Sequence, residues 1–450
     1  MTLLAVDFGS TFTKGALLAD DGTVVATAAT PTTGTLGRGD VLDGYRTLRA
    51  SLEVPADASV RACSSAGGGL RLAVVGYEAT VTAQAGHRVG LSAGAKVVHV
   101  AAGALTTDAA AAVRASRPDI VLLVGGTDGG NADVLLHNAE RLARLAVGGH
   151  GAHAVPVVVA GNVGARDEAL ALLAATARPT VAADNVLPQI GVIAPESARA
   201  AIRQAFLHHV IGGKGLSRDP AFAAMVQAAT PDAVLRGVEV LAGLGGGDVM
   251  VVDVGGATTD VYSCLTPEGE DASLRKDVVA PLWHARTVEG DLGLRWNALH
   301  VLEAAADEHL LAPVSDASGV EGLRAWAARA HEQPGLLPTD ATERGLDLEL
   351  ARLAALVAVR RHARPAQPTE SPRPLANVTT LAGSGGVLRH ADASGRDRVL
   401  GAVLADHAGG WKVPRGARAR VDERYLLFAA GLLAADAPDL ARAVAAQILP

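Results

Sequence analysis

Apolar residues fall in short runs parted by turn-forming polar residues. Leu3 to Val6, Gly15 to Leu18 and Thr23 to Ala29 are three such runs, divided by Asp7 to Lys14 and by Asp20-Asp21-Gly22. Runs of this length fit strands, and Asp-Asp-Gly fits a turn, so the start predicts strand, tight turn, strand, turn, strand. The period then changes. Residues 97–101 read as a strand, 106–117 as a helix capped by Thr or Asp, 119–124 as a buried strand ending at Gly125-Gly126, 131–147 as an amphipathic helix, 155–160 as a strand and 166–177 as a helix. This β-α-β-α-β alternation implies a parallel sheet covered by helices. Residues 196–210, 219–242, 297–310 and 321–331 read as helix, and 347–363 as a long helix with an apolar stripe. Residues 365–374, PAQPTESPRP, hold four prolines and predict a linker or rigid surface loop. A strand leads into 381–388, and 424–434 read as a helix of small residues.

The opening pattern returns. LLAVDFGSTFTKGALL at 3–18 and DVMVVDVGGATTDVYSCL at 248–265 share an apolar run, Val-Asp-x-Gly, small or hydroxyl residues and a second apolar run, about 246 residues apart. One polar turn is ordinary, but two turns with the same acid-glycine-hydroxyl order point to an internal duplication.

The chemistry of these turns suits phosphate. A glycine lets the backbone approach a bound group, and hydroxyls and free backbone N–H groups donate to phosphate oxygens. An acid would repel phosphate, so its place is beside a hydrated Mg²⁺. A third glycine-rich turn, Gly383-Ser384-Gly385-Gly386, also follows a strand-like run. None of the three is a Walker A loop or a dinucleotide fingerprint, since GxxxxGK[ST] is absent and no GxGxxG follows a strand.

Composition narrows the partners. The chain has 450 residues, 49% hydrophobic and 19% charged, enough for two to four domains with a sizeable core. A net charge of −7 argues against nucleic acid or an anionic membrane. Two cysteines, Cys63 and Cys264, give neither zinc spacing nor a disulfide framework and suit a reducing cytoplasm. Asp7 breaks the first apolar run too early for a signal peptide, and no apolar stretch reaches the roughly 18 residues of a membrane span. Arginines number thirty-five against five lysines, a bias that fits a GC-rich genome and sets Lys14 apart.

Two acid-bearing hairpins with a late GSGG turn resemble the actin, sugar kinase and Hsp70 superfamily. CSSAGGGLRLAVVGYEATVTAQAG (63–86), LLVGGTDGGN (122–131), VVVAGN (157–162) and DNVLPQIGV (184–192) narrow the resemblance, over nearly the full chain, to the accessory proteins of adenosylcobalamin-dependent glutamate mutase. This is the GlmL/MutL family, unrelated to its mismatch-repair namesake. The resemblance implies an α/β, actin-like (ribonuclease H-like) duplicated two-lobe ATPase fold with nucleotide between the lobes. The expected division is an N-terminal lobe at 1–245, carrying an inserted α/β region at about 95–200, and a C-terminal lobe at 246–450. It implies an ATP-driven chaperone that releases inactive cobalamin from a mutase. ATP or ADP, Mg²⁺ and the mutase subunits are then the ligands and partners, and a homodimer is open.

By the same resemblance, Asp7 holds Mg²⁺ through water, and Asp253 orients the attacking water or shares the metal. Gly9, Ser10, Thr11 and Thr13 line the first turn with Lys14 as a phosphate contact. Gly255, Gly256, Thr258 and Thr259 bind the γ-phosphate, and Gly383, Ser384, Gly385 and Gly386 back the adenosine. Glu289, Gly290, Asp291 and Gly293 either face the cleft or form a helix cap. Other features read as structural: the GGTDGG loop at 125–130 as a strand-to-helix turn, His208-His209 as solvent-facing and Cys63 as a buried thiol. His150 and His153 lack a third ligand. Arg360-Arg361 read as a solvated helix face or a partner contact. By elimination, 60–200 is the expected client surface. A small-molecule kinase and a nucleotide-binding actin-like structural protein are the competing functions; no acceptor signature supports the first, and retained acids and hydroxyls argue against a dead site.

Overall fold

Three five-stranded sheets collect the apolar runs in the computed structural model. The structure describes residues 2–34, 39–66, 70–149, 154–211, 215–245, 247–266, 284–311, 317–365, 372–409, 413–414 and 416–448; His150, His153 and most of the proline-rich stretch lie outside them. The chain divides into two units, one built on Met1–Gly15 and Ala28–Ala233, the other on Ala16–Thr27, Val234–Pro267 and Trp283–Pro450.

The N-terminal half of the chain carries β1 (Leu3–Phe8), β2 (Phe12–Leu18), β3 (Val24–Pro31), β4 (Ser59–Ser64), β5 (Arg71–Gly76), β6 (Lys96–Ala102), β7 (Ile120–Leu123), β8 (Val157–Val159), β9 (Thr180–Ala182) and β10 (Val226–Ala229). One sheet runs β10-β4-β1-β2-β3, with β4 parallel to both β1 and β10. The span 219–242 is thus not all helix. Helix Pro220–Met225 gives way to β10 before helix Thr230–Ala242, because Val226 to Ala229 hydrogen-bond along β4 and a buried strand edge outweighs helix propensity.

The second sheet is the expected parallel one, ordered β6-β5-β7-β8-β9, all neighbours parallel. It begins earlier than 95, because β5 is its second strand. Helix Thr82–Ser92 lies on it at very short range. A side chain at Gly76 would meet Ala83 at 2.6 Å, one at Gly86 would meet Val74 at 2.8 Å, and one at Gly90 would meet Leu72 at 2.5 Å.

The second unit holds β11 (Asp248–Val254), β12 (Thr259–Cys264), β13 (His284–Glu289), β14 (Val378–Ser384) and β15 (Arg418–Val421). Their order is β13-β12-β11-β14-β15, with β11, β12 and β13 antiparallel in turn and β11, β14 and β15 parallel. This repeats the first sheet: β11, β12, β13, β14 and β15 take the places of β1, β2, β3, β4 and β10. The duplication read from two turns therefore extends to two whole sheets.

The core of this unit packs on helix Ala341–Ala363. The helix bears no mere stripe; nearly every residue from Leu350 to Ala363 is buried. Arg360 lies inside it, bonded to Asp406 at 2.7 Å through each of two nitrogens and to the Glu308 carbonyl at 2.9 Å. It is not the solvated face its sequence suggests, because those partners satisfy a guanidinium that burial alone would penalise.

Candidate phosphate-binding hairpins

In the first unit, β1 delivers Asp7 to a turn closed by a hydrogen bond from the Gly9 N–H to the Phe12 carbonyl at 3.2 Å. A side chain at Gly9 would stand 2.6 Å from that carbonyl, so the turn demands glycine. Thr32, just beyond β3, braces it: its hydroxyl donates to the Gly9 carbonyl at 2.8 Å and its N–H to the Thr11 carbonyl at 2.9 Å. Thr13 is fully buried, its hydroxyl 3.0 Å from that of Thr32. Thr13 therefore supports the turn from behind rather than lining it. Ser10 is exposed and Thr11 and Lys14 are half-buried.

Asp7 is 2% exposed. Its Oδ1 accepts from the Thr230 hydroxyl at 2.5 Å, and its Oδ2 lies 3.5 Å from Lys14 Nζ. Thr230 follows β10 directly, so the strand missed in the sequence is what positions it. Cys63 Sγ lies 3.7 Å from Asp7 Oδ1. Burial, and then the Asp7 charge, push this thiol well up, so Cys63 is the buried thiol expected.

In the second unit the same turn recurs. The Gly255 N–H donates to the Thr258 carbonyl at 2.9 Å, and a side chain at Gly255 would stand 2.8 Å from that oxygen. Gly255, Gly256 and Thr258 are half-exposed, while Thr259 is buried and donates to the Leu292 carbonyl at 2.7 Å. Thr259, like Thr13, is a brace. Residues 292–297 hold the turn from outside: the Arg295 and Trp296 N–H groups donate to the Gly256 carbonyl at 2.9 and 3.0 Å, and Asn297 donates to Ala257 at 3.0 Å. Gly293 permits this approach, since a side chain there would meet Ala257 at 2.3 Å. Arg295 is in turn anchored to Asp347 by two bonds of 2.8 and 2.9 Å, with Trp326 Nε1 donating to Asp347 at 3.0 Å.

The GSGG turn joins this hairpin. Ser384 is in register with Asp253 across β14 and β11. Gly385 has φ +104°, and a side chain there would fall 2.1 Å from the Val254 carbonyl. Gly383 packs under Leu388, and Gly386 is exposed at the start of helix Gly386–His390. Asp253, Gly255, Gly256 and Thr258 thus share one edge with Ser384 to Gly386.

Asp260 was missed in the sequence. It stands directly opposite Asp253 on β12, where two like charges side by side are unfavourable. Its Oδ2 accepts from Arg286 at 3.1 Å, but its buried Oδ1 has no hydrogen-bond partner among the described residues. The available signal was position: Asp260 falls where Lys14 does in the first copy. Glu289 and Asp291 are neither a cap nor free. Both accept from Arg361 at 2.8 Å, so Arg361 is an internal brace rather than a solvated residue. Burial leaves Glu289 above its ordinary value despite Arg361. For Asp291 burial also pushes upward, but Arg361 outweighs it and the carboxyl lies below its usual range.

The glycine cradles and the orphaned oxygen of Asp260 beside Asp253 fit a phosphate with a divalent cation. Groups of three or more His, Cys, Asp or Glu side chains that could hold a metal ion are absent among the described residues. No helix among the described residues is long and apolar enough to cross a membrane. His208 and His209 are exposed, as expected.

The family model described as MutL protein matches residues 3–449. The chain belongs to the MutL family. Protein MutL of Clostridium tetanomorphum is 35% identical over 460 residues, covering 97% of each chain. The MutL membership bears out the resemblance to glutamate mutase accessory proteins drawn from residues 63–192. Among solved structures, the chain is similar to nucleotide-free acetone carboxylase (TM-score 0.40, 13% identity, 96% of this chain and 70% of that one). It is also similar to a ROK family glucokinase from Streptomyces griseus solved with glucose and AMPPNP (TM-score 0.34, 10% identity, 100% and 99%).

Proposed function

We propose that this MutL-family protein is an ATP-dependent reactivating chaperone of an adenosylcobalamin-dependent mutase, with glutamate mutase the first candidate client. The observation that carries the nucleotide part is the pair of matching turns, each with an acid two residues before an obligatory glycine. Family membership supports the choice of client.

Backbone N–H groups and the hydroxyls of Ser10, Thr11 and Thr258 would bind phosphate oxygens, with Lys14 adding charge. Asp7 and Asp253, with Asp260, would hold Mg²⁺ through its water shell; the ion supplies neutralisation of phosphate charge. Thr230 and Lys14 orient Asp7, and Arg286 restrains Asp260. Ser384 to Gly386 would back the adenosine. The chemistry asked of the chain is positioning and charge placement rather than a nucleophile.

The test is ATP hydrolysis with Mg²⁺, alone and with cobalamin-inactivated glutamate mutase, beside Asp7→Ala. Turnover that depends on Asp7 and restores mutase activity is the expected result. Turnover with no effect on the mutase would keep the ATPase and change the client. Absence of nucleotide binding would overturn the reading.

A further inference from the structure

The two cysteines lie in opposite surroundings. Cys63 is sealed against the Asp7 carboxylate. Cys264 ends β12 and stands directly across from His284, the first residue of β13. Cross-strand neighbours of this kind have Cβ atoms about 5 Å apart on one face. His284 Nδ1 is in turn 3.2 Å from Glu239 Oε1 of helix Thr230–Ala242. Cys264 is 7% exposed, while the His284 side chain is 45% exposed. A thiol under a solvent-facing imidazole, itself oriented by a carboxylate, is the arrangement that activates sulfur. Asp260, Tyr262 and Arg286 are the other ionisable groups on this face of β12 and β13; Arg286 donates to Asp260 at 3.1 Å, and its guanidinium lies 5.5 Å from the Tyr262 ring centre. Hydrogen bonds to Cys264 and then to Glu239 push the His284 imidazole up to about 10, so it is a cation at neutral pH.

The geometry points to Cys264, His284 and Glu239 as a reactive-thiol site that exchanges with low-molecular-weight disulfides. The charged imidazole favours the Cys264 thiolate, whose proton goes to solvent, and the sulfur attacks one sulfur of R–S–S–R. The S–S bond breaks, R–S⁻ leaves and takes up a proton, and the products are Cys264–S–S–R and R–SH. Cys63, with a carboxylate in place of an imidazole, is the internal control.

The experiment incubates the native full-length protein with oxidised glutathione at pH 7 and follows each cysteine by peptide mass mapping. Cys264 is expected to form the mixed disulfide at least tenfold faster than Cys63. His284→Gln is expected to slow Cys264 about tenfold, and Glu239→Gln severalfold, with circular dichroism unchanged. An adduct that forms on Cys264 equally fast in folded His284→Gln overturns the assignment. So does an adduct on Cys63 alone, or none at either thiol after the unfolded chain has been shown to react.

Discussion

The two hairpins share a backbone and differ in charge. Each closes a glycine N–H onto a carbonyl three residues on, and each buries the following threonine as a brace. At the next position the copies part: Lys14 lies against Asp7, whereas Asp260 lies opposite Asp253. The first copy pairs its acid with Lys14, and the second sets two acids across from each other, with Asp260 held by the buried Arg286. Glycine geometry tolerates no substitute, so it survives duplication; the flanking charge is free to diverge and sets what each copy offers. The first copy presents a cation beside its acid and the second a pair of acids.

The largest effect should come from the brace of the second hairpin. Removing one partner of a buried ion pair costs about 3–5 kcal/mol, so Asp347→Ala should lower urea stability by that order, leaving Arg295 uncompensated behind Gly256. A loss under about 1 kcal/mol would mean that Arg295 does not hold the turn. In the first hairpin the brace on the glycine carbonyl is a hydroxyl, that of Thr32. Thr230→Val leaves a buried Asp7 oxygen without its donor, at about 1–3 kcal/mol, and should also depress ATP turnover; intact turnover with the stability loss would confine Thr230 to a structural role. Exchanging character sharpens the contrast. Lys14→Met should weaken ATP binding several-fold, whereas Asp260→Asn, which keeps an acceptor for Arg286, should raise the Mg²⁺ concentration needed for turnover. Equal effects of both variants on both ligands would dissolve the difference between the copies.

Acid should act on the second unit through its arginine-held carboxylates. Burial raises Glu349, and Arg352 and Arg398 outweigh it; Glu308 is likewise lowered net by Arg364 and Arg360. Their folded values lie below the ordinary 4.5. They therefore contribute stability above the unfolded value that is lost as pH falls through the folded one. Glu349→Gln should flatten the decline in stability below about pH 4.5 in a denaturant series.

The sequence disclosed what depends on local pattern. The matching turns, strands β7, β8 and β14 and the capped helices were legible because apolar runs and turn residues mark them. Helix Thr82–Ser92 was not, because Gly86 and Gly90 argue against helix locally and are there to let it lie on Val74 and Leu72. Strand β10 hid between two helices because its four residues gain order only from β4. Thr230 and Arg295 have no local signature at all: each acts on a turn brought to it by the fold. Asp260 was visible in the repeat itself, once the copies are aligned past the glycines.

The smallest expected effect is the most discriminating. Ser10 is exposed, so Ser10→Ala should change stability by no more than about 0.5 kcal/mol. Thr13→Val, one turn residue deeper, should cost about 1 kcal/mol or more because its buried hydroxyl meets Thr32. If the first turn binds phosphate, Ser10→Ala should nonetheless raise the KM for ATP severalfold with little change in melting temperature, while Thr13→Val should lower the melting temperature more than it alters KM. A Ser10→Ala protein indistinguishable from the parent in both readouts would leave the turn a scaffold and move the phosphate contact to the backbone N–H groups alone.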